Sequence, residues 1–347
     1  MTNSEDRLAL RKKAESLRGR LSDQKTLAGR RRFPAREDPF LMEDPFVADE
    51  DKLLASKTYR ALAYKTQVFT LPETHLVRSR LLHVMEVVGT TVLASEMLGL
   101  NTSLARAAAI GHDVGHVPFG HQGEACVAQL MGKPNFCHEV MGPVVTQHIE
   151  RKGLGLNLTH ETLDAMMRHS GNFATDDMSP EAHVLRYTDK ITYLFHDYND
   201  IVVRAHYPIS RELESLFEEF GHDQRARRTT AICAMVVESV ESGRVCFDQS
   251  DWAKKFRRLR ELMYEVYPKV TQQNVMATME PTLEFLQLLG LGDPFLLLAL
   301  LTDREVETIA AATMKDANLF RHLGISEITP YLENIGAVDL CDSDLNW

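Results

Sequence analysis

The adjacent pair His112-Asp113 most constrains what this chain can fold into. It ends an alanine-rich stretch, residues 103–112, that is suited to lie deep against neighbouring elements. Burying an imidazole and a carboxylate without partners costs several kcal/mol. A divalent cation removes this cost, because imidazole nitrogen and carboxylate oxygen are among its preferred ligands. The pair therefore predicts a fold built around a metal site.

Histidines concentrate around this pair. Twelve of the fourteen histidines lie in the interval from His75 to His206. Two of them, His116 and His121, follow the pair within a few residues. The sequence therefore predicts that the chemistry is central and that the flanking segments are scaffold.

Bulk composition narrows the class of protein. An apolar content of 44% and a charged content of 25% are ordinary for a soluble globular chain. The net charge of −10 argues against a general nucleic-acid-binding surface. Five scattered cysteines without a Cys-x-x-Cys pair suit a reducing compartment and argue against a zinc ribbon or a disulfide framework. With neither an apolar signal core nor an apolar run of roughly 20 residues, we expect a cytoplasmic protein without a membrane partner.

Hydrophobic periodicity is helical through most of the chain. Residues 80–98 carry apolar side chains at helical spacing, and Gly99 follows where a helix would end. Strand-like alternation is weak throughout. Further predicted helices cover residues 103–112, 160–169, 180–203, 225–242, 252–267, 272–289, 293–301, 303–313 and 319–322. The sequence thus predicts an all-α fold with a charged N-terminal arm over residues 1–50, a helical core over 51–205 and a helical C-terminal subdomain over 206–347.

The N-terminal arm divides by charge. Residues 1–36 are strongly basic, and residues 37–51 are acidic. Two interpretations of the basic part stay open: a solvated, partly helical extension, or an arm that packs on a neighbouring subunit or binds polyanions.

Polar side chains recur on one side of the helix predicted over residues 180–203. Asp189, Tyr193, His196 or Asp197, and Asp200 recur every three to four residues, so they share a face. A face this polar is either solvated or turned into a site. Given His112-Asp113 upstream, we interpret Asp189 as a metal ligand rather than a surface acid.

The order of these motifs resembles a known family. His83, His112-Asp113 and Asp189 are similar in pattern to the metal ligands of HD-domain phosphohydrolases. Within that group, residues 45–205 resemble the deoxynucleoside triphosphate triphosphohydrolase (dGTPase) family. The blocks that carry the resemblance are Tyr59-Arg60-Ala61-Leu62, Lys65-Thr66-Gln67-Val68-Phe69, Arg78-Ser79-Arg80-Leu81-Leu82-His83 and the segment from His112 to Glu124.

This resemblance implies an HD-domain catalytic core and an activity in nucleotide metabolism. The activity is hydrolysis of a deoxynucleoside triphosphate to a deoxynucleoside and inorganic triphosphate. His83, His112, Asp113 and Asp189 would hold one divalent metal at the α-phosphate. Such a metal polarises the phosphoryl oxygen and lowers the pKa of a bound water. Mn, Mg, Fe, Co and Zn fit these nitrogen and oxygen ligands almost equally well.

The resemblance also implies catalytic roles for three residues of the His112–Glu124 segment. Water attack on the α-phosphorus makes the deoxynucleoside 5′-oxygen the leaving group, and this oxygen needs a proton. His121 is similar to the general acid of the family, and Glu124 is expected to orient its imidazole. His116 is expected to contact the water or a phosphate oxygen.

Substrate contacts are implied by further matching positions. Positive charge beside a triphosphate is expected on electrostatic grounds. Tyr193 is expected to face the deoxyribose, and Asp197 is expected to accept a hydrogen bond from the 3′-hydroxyl. The residues that resemble the family's substrate contacts are Gln67, Arg80, His138, Lys190, Tyr193 and Asp197.

Two other functions stay open. The first is an HD phosphohydrolase that acts on nucleoside monophosphates or another phosphate ester, although Arg80 and Lys190 supply more positive charge than one phosphate needs. The second is a nucleotide-sensing or single-stranded-DNA-binding module without turnover, for which intact His121 and Glu124 are unfavourable. The resemblance further implies a homo-oligomer with a possible nucleotide effector. The sequence does not determine base preference.

Overall fold

The computed structural model describes residues 3–37, 43–68, 78–270, 274–312 and 338–345. Helices are the regular elements of these ranges, and the paired extended residues within them are the isolated bridges Arg31–Thr159 and Thr66–Ser79. The all-α class is therefore confirmed. The helices are α1 (Asn3–Ser16), α2 (Pro45–Ala55), α3 (Lys57–Ala61), α4 (Arg80–Leu98), α5 (Thr102–Gly111), α6 (Gly120–Met131), α7 (His138–His148), α8 (His160–Arg168), α9 (Pro180–Tyr198), α10 (Arg211–Phe220), α11 (Gln224–Ser242), α12 (Asp251–Val270), α13 (Met276–Leu289), α14 (Pro294–Leu300) and α15 (Asp303–Ala311).

Hydrophobic periodicity predicts the bounds of most long helices to within a few residues. The helix predicted over residues 180–203 differs in its last turn, since α9 ends at Tyr198 and a π-helical segment, Asn199–Arg204, follows. Helices α2, α3, α6, α7 and α10 are additional to the helices that periodicity bounds. The helix predicted over residues 319–322 lies outside the described residues.

The chain forms two units, and the first draws on residues 1–28, 85–109 and 168–272. In this unit α11 packs against α1, α9, α10 and α12. An aromatic cluster fills part of its core, with ring centroids 5.5–6.2 Å apart; its members are Phe195, Phe217, Phe220 and Phe256. Aromatic rings at such spacings add edge-to-face attraction to the burial of apolar area.

The basic N-terminal segment belongs to the first unit. Helix α1 packs on α11, and the side chain of Ala14 is fully buried. The Arg7 guanidinium donates to the carbonyl oxygens of Glu218 and Glu219, at 3.4 Å and 3.1 Å. The segment is partly helical, as one interpretation of the sequence holds, and its helix packs on its own chain.

The second unit draws on residues 29–84, 110–167 and 273–347. In this unit α13 packs against α6, α14 and α15. The buried carboxylate of Asp49, on α2, accepts hydrogen bonds from Arg31, Thr159 and Thr162. These bonds satisfy a charge that would be costly to bury alone, and they join α2 to the start of α8.

Two helices run from one unit into the other. Residues 80–84 of α4 belong to the second unit and the rest of α4 to the first; α5 leaves the first unit at residue 109. His83 and His112 therefore both lie in the second unit.

Among the described helices, α4 has the length and hydropathy of a membrane span, but 56% of that window is buried within the protein, as in the core helix of a soluble protein. The domain boundaries expected after residues 50 and 205 stay a prediction.

Candidate metal centre

The second unit brings together three of the residues that the sequence predicts as metal ligands. His83 lies in the first turn of α4, and His112 and Asp113 directly follow α5. All three are buried, and each offers a ligand atom within 4.8 Å of the other two. The imidazole rings of His83 and His112 meet edge to face, with centroids 5.7 Å apart. Two imidazoles and one carboxylate at this spacing fit a divalent transition metal.

Arg80 holds the carboxylate of this trio. Its Nη1 donates to Asp113 Oδ2 at 2.7 Å, and its Nε donates to the carbonyl oxygen of Thr66 at 3.1 Å. Its Nη2 is buried and has no hydrogen-bond partner among the described residues. Gly120 leaves room for Nη2, because a Cβ at that position would lie 3.0 Å from it. One guanidinium nitrogen is therefore available for an anion.

Asp113 is ionised in this setting. Burial acts to raise the pKa of Asp113, but the charges of His112 and Arg80 outweigh it and hold the pKa well below its ordinary value. His116 Nε2 lies 3.3 Å from Asp113 Oδ1 and adds a further hydrogen bond. The carboxylate is thus in the protonation state that a metal ligand needs.

Three more histidines lie close to one another in this unit. His116 and His138 are stacked, with ring centroids 3.7 Å apart, and His121 meets both edge to face. Burial, with smaller contributions from Arg80 and His138, holds the pKa of His116 well below its ordinary value. His116 is therefore neutral at pH 7. Its Nδ1 is buried without a hydrogen-bond partner in the described part of the chain.

His138 is the charged member of the cluster. Burial acts to lower the pKa of His138, but the carboxylates of Glu124 and Glu139 raise it to about 9. Glu124 Oε2 accepts from His138 Nδ1 at 2.7 Å and from the His138 backbone N–H at 2.9 Å, so it also caps the start of α7. The sequence predicts that Glu124 orients His121. The structure gives Glu124 hydrogen bonds to His138, and its influence on His121 is electrostatic.

A second layer of residues surrounds this cluster. Asp303, at the start of α15, accepts hydrogen bonds from Thr66 and from the backbone N–H of Phe119. Lys65 is buried and donates to the carbonyl oxygens of His116 and Ala299. In the sequence, Lys65 and Thr66 stand out only as parts of the block Lys65-Thr66-Gln67-Val68-Phe69, and no local pattern marks Asp303.

The remaining predicted site residues divide between the two units. Gln67 follows Thr66 in the second unit, and its Oε1 is buried without a partner among the described atoms. The others lie on α9, in the first unit. Asp189, Tyr193 and Asp197 have the spacing of one helix face, and Lys190 is adjacent to Asp189. The structure thus groups nine of the predicted residues in the second unit and four in the first.

Two tyrosines of α12 contact the polar face of α9 within the first unit. The Tyr193 and Tyr264 hydroxyls are 2.9 Å apart, and the Tyr267 hydroxyl donates to Asp197 Oδ2 at 2.8 Å. Burial, together with the Tyr264 hydroxyl, raises the pKa of Tyr193 well above its ordinary value. Asp197 is buried, so it is not merely a helix-surface acid.

A cationic cavity of about 520 Å³ lies in the first unit, between α9, α12 and the segment that connects α11 to α12. Two carboxylates, Asp176 and Asp248, also line it. Its basic side chains are His183, Arg186, Lys190, Arg244, Arg257 and Arg260. The excess of positive charge suits an anion with several negative charges.

The chain matches a known protein family. The HD domain model matches residues 80–194, which include His83, His112-Asp113 and Asp189. The relatives of this chain include proteins that bear the name deoxyguanosinetriphosphate triphosphohydrolase-like protein. The relative from Clostridium tetani is 32% identical over 67% of this chain and 67% of its own length.

Two further relatives match over shorter stretches. The relative from Desulfatibacillum aliphaticivorans is 35% identical over 62% of this chain, and the relative from Caldanaerobacter subterraneus is 40% identical over 45%. The matches span 64% and 45% of the length of these two relatives. On this evidence the chain belongs to the HD-domain family of deoxyguanosinetriphosphate triphosphohydrolase-like proteins.

Proposed function

We propose that this protein is a metal-dependent hydrolase of deoxynucleoside triphosphates, with dGTP or several dNTPs as substrates, that releases a deoxynucleoside and inorganic triphosphate. Family membership supports a phosphohydrolase of the HD type. The observation that carries the proposal is the buried trio His83, His112 and Asp113 beside Arg80, whose Nη2 is left for an anion. A metal site next to a buried, partly unsatisfied guanidinium suits a phosphate ester.

The proposed metal ligands are the trio and Asp189. A divalent metal bound there supplies Lewis acidity to the α-phosphate and makes water a better nucleophile. Asp113 enters as a carboxylate and His83 and His112 as neutral imidazoles, because a metal requires deprotonated ligands. Asp189 stands on the resemblance, and its place as fourth ligand is a proposal.

The protein's own side chains handle the charge and the proton. Arg80 Nη2 and the protonated His138 bind oxygens of the phosphate chain, since both are buried cations. Water oxygen bonds to the α-phosphorus as the bond from phosphorus to the 5′-oxygen breaks. The neutral His116 accepts at Nδ1 the proton that the water loses, and protonated His121 gives its proton to the departing 5′-oxygen. Burial and the charge of His138 lower the pKa of His121, which makes its protonated form a stronger acid.

The α9 residues supply the proposed nucleoside contacts. Tyr193 faces the deoxyribose, and Asp197 accepts a hydrogen bond from the 3′-hydroxyl. Gln67 offers an unsatisfied amide oxygen to the substrate. Lys190 lines the cationic cavity and contacts the phosphates.

A second candidate function is supported by that cavity. Its charge and volume suit the phosphates of a nucleotide that acts as an effector. In this second function, nucleotide sensing accompanies or replaces hydrolysis. We further propose a cytoplasmic homo-oligomer. Hydrolysis of a nucleoside monophosphate is less favoured, because Arg80 and Lys190 supply more positive charge than one phosphate requires.

Product analysis tests the proposal. The metal-loaded protein is incubated with each dNTP and NTP, singly and mixed, and the products are separated. We expect deoxynucleoside and triphosphate in equal amounts, and none with His112→Ala. The matched control is His222→Ala, which removes an exposed histidine of the first unit. Release of orthophosphate alone, or equal turnover by His112→Ala, contradicts the proposal, whereas turnover only in mixtures supports an effector.

A further inference from the structure

Asp303 is buried at the N-terminus of α15, and only 1% of it is exposed. Its Oδ2 accepts from the Thr66 backbone N–H at 2.9 Å and from the Thr66 hydroxyl. Its Oδ1 accepts from the Phe119 backbone N–H at 2.9 Å. One carboxylate therefore joins two segments that are far apart in sequence and that both border the candidate metal centre.

The first segment leads to a predicted metal ligand. Thr66, fixed by Asp303, presents its carbonyl oxygen to Arg80 Nε at 3.1 Å. Arg80 Nη1 in turn donates to Asp113 Oδ2 at 2.7 Å. A guanidinium held at two of its nitrogens has a defined orientation, so the position of the Asp113 carboxylate depends on where Thr66 is held.

The second segment leads to the histidine cluster. Phe119 adopts a left-handed backbone conformation with φ of 63°, which is unfavourable for a residue with a side chain. The bond from its N–H to Asp303 helps to hold this conformation. Phe119 immediately precedes α6, whose first turns carry His121 and Glu124. The direction in which α6 begins, and with it the bond from Glu124 to His138, depends on this turn.

A neighbouring contact ties the same part of the molecule together. The buried Lys65 donates to the carbonyl oxygen of His116 and, at 3.2 Å, to that of Ala299 in α14. Helix α14 thus holds Lys65 through Ala299, and α15 holds Thr66 through Asp303. Both helices act on the metal centre through these contacts and contribute none of its proposed ligands.

We propose that Asp303 is a positioning residue for the metal centre: it sets the orientation of Arg80, and through it Asp113, and it fixes the turn from which α6 begins. This inference rests on the metal site of the proposed function and not on its substrate.

The experiment uses the full chain and the variant Asp303→Asn. The amide has the same shape, but its NH₂ group faces a donor, so it cannot accept from both Thr66 and Phe119. We expect Co²⁺ affinity, measured by calorimetry, to fall about tenfold. In the metal-free protein we expect hydrogen exchange of the Phe119 amide to become roughly tenfold faster, since it loses a charge-assisted bond.

Thr282→Val is the matched control for a purely structural effect. Thr282 is fully buried on α13, and its hydroxyl donates to the carbonyl oxygen of Val306 on α15. The variant Thr282→Val therefore weakens the packing of α15 and leaves the hydrogen bonds of Thr66 and Phe119 unchanged. We expect it to lower the thermal midpoint while Co²⁺ affinity and Phe119 exchange stay near the wild-type values.

A double-mutant cycle tests the route through Arg80. In an Arg80→Met background, we expect Asp303→Asn to have little further effect on Co²⁺ affinity, because the link to Asp113 is already cut. Equal effects in both backgrounds overturn this route. If Asp303→Asn fails to fold, Thr66→Val removes one of the three donors and is expected to act in the same direction, and Thr66→Ser is expected to restore Co²⁺ affinity.

Two outcomes separate this inference from the proposed function. If the wild-type protein binds Co²⁺ but hydrolyses no dNTP, the proposed substrate fails and Asp303 is still tested by affinity. If the wild-type protein binds no metal, the exchange rate of the Phe119 amide in the metal-free protein tests whether Asp303 fixes the turn before α6. Unchanged exchange and unchanged affinity in Asp303→Asn, relative to Thr282→Val, overturn the proposal.

Discussion

At the scale of single residues, two neighbouring histidines of the candidate site differ in protonation state. His116 and His138 are stacked, yet burial keeps His116 neutral while Glu124 and Glu139 keep His138 protonated. Two charged imidazoles in this contact would repel each other. The carboxylates therefore decide which ring carries the proton, and they place a single positive charge next to a neutral acceptor.

Glu124→Gln tests this division in the metal-free protein. The pKa of folded His138 is about 9, above the ordinary 6.5, so its ion pair stabilises the fold fully below pH 6.5 and this stability is lost as pH rises through 9. We expect the variant to lower the free energy of unfolding by about 1–2 kcal/mol at pH 6 and by little above pH 10. Urea unfolding at several pH values measures this.

The control for that measurement is Glu284→Gln, an exposed glutamate on α13 in the same unit. We expect it to change the free energy of unfolding by less than about 0.5 kcal/mol at every pH. A cost for Glu124→Gln that is the same at pH 6 and pH 10 would contradict a charged His138.

At the scale of elements, the turn after α5 and the first turns of α7 pack backbone to backbone. A Cβ on Gly115 would overlap the carbonyl oxygen of His138 and the backbone nitrogen of Gly142. Only glycine permits this approach, which sets His138 beside His116. The contact thus places one histidine of the cluster by way of a residue that has no side chain.

Gly115→Ala is expected to separate the turn from α7. We expect it to lower the free energy of unfolding by about 2–3 kcal/mol, because neither backbone can yield without moving a helix. The paired variant is Gly89→Ala on α4, where a Cβ meets no atom within 4 Å. There we expect a gain of roughly 0.5–1 kcal/mol from better helix propensity. Denaturant unfolding of both variants measures the contrast, and a harmless Gly115→Ala would refute the close packing.

The sequence predicts those helices that are specified by the pattern of their own residues. Periodic apolar residues predict α4, α8 and α11 closely, because one buried face is enough to specify a helix. Helices α6 and α7 are not predicted. Glycines and histidines interrupt the apolar pattern of α6, Pro143 lies within α7, and the start of α7 is capped by the distant Glu124.

The same distinction applies to the site. Within the trio of predicted ligands, His112-Asp113 stands out in the sequence because a His-Asp pair after an apolar stretch is costly to bury without a metal or another polar partner. Asp303 carries no such signal: its contacts join it to Thr66 and Phe119, 237 and 184 residues away. Residue type and local spacing contain nothing about contacts at that separation, so only the fold reveals them.

At the scale of the whole molecule, the two units interleave in sequence. The second unit is assembled from three separated stretches, and α4 and α5 carry the chain out of it and back. His83 lies just before α4 leaves this unit after Val84, and His112 lies just after the chain returns to it at Ile110. A metal held by both closes a loop of the chain that runs through the first unit, so metal binding and folding of the second unit are expected to be coupled.

Metal stabilisation tests this coupling. A metal at 100 times its Kd is expected to add about 2.7 kcal/mol to the free energy of unfolding. We expect this gain for wild-type protein and for His222→Ala, and none for His112→Ala. Hydrogen exchange is expected to slow most in residues 110–124. An equal gain in His112→Ala would place the metal elsewhere.

Asp189→Ala tests the proposed fourth ligand of the metal. If Asp189 is the fourth ligand, the variant is expected to lose most of the metal-dependent gain in unfolding free energy, and the first unit is expected to gain exchange protection on metal binding in the wild-type protein. Asp200→Asn serves as the control on the same polar side of this segment. If Asp189→Ala retains the full gain, the three residues of the second unit hold the metal without it.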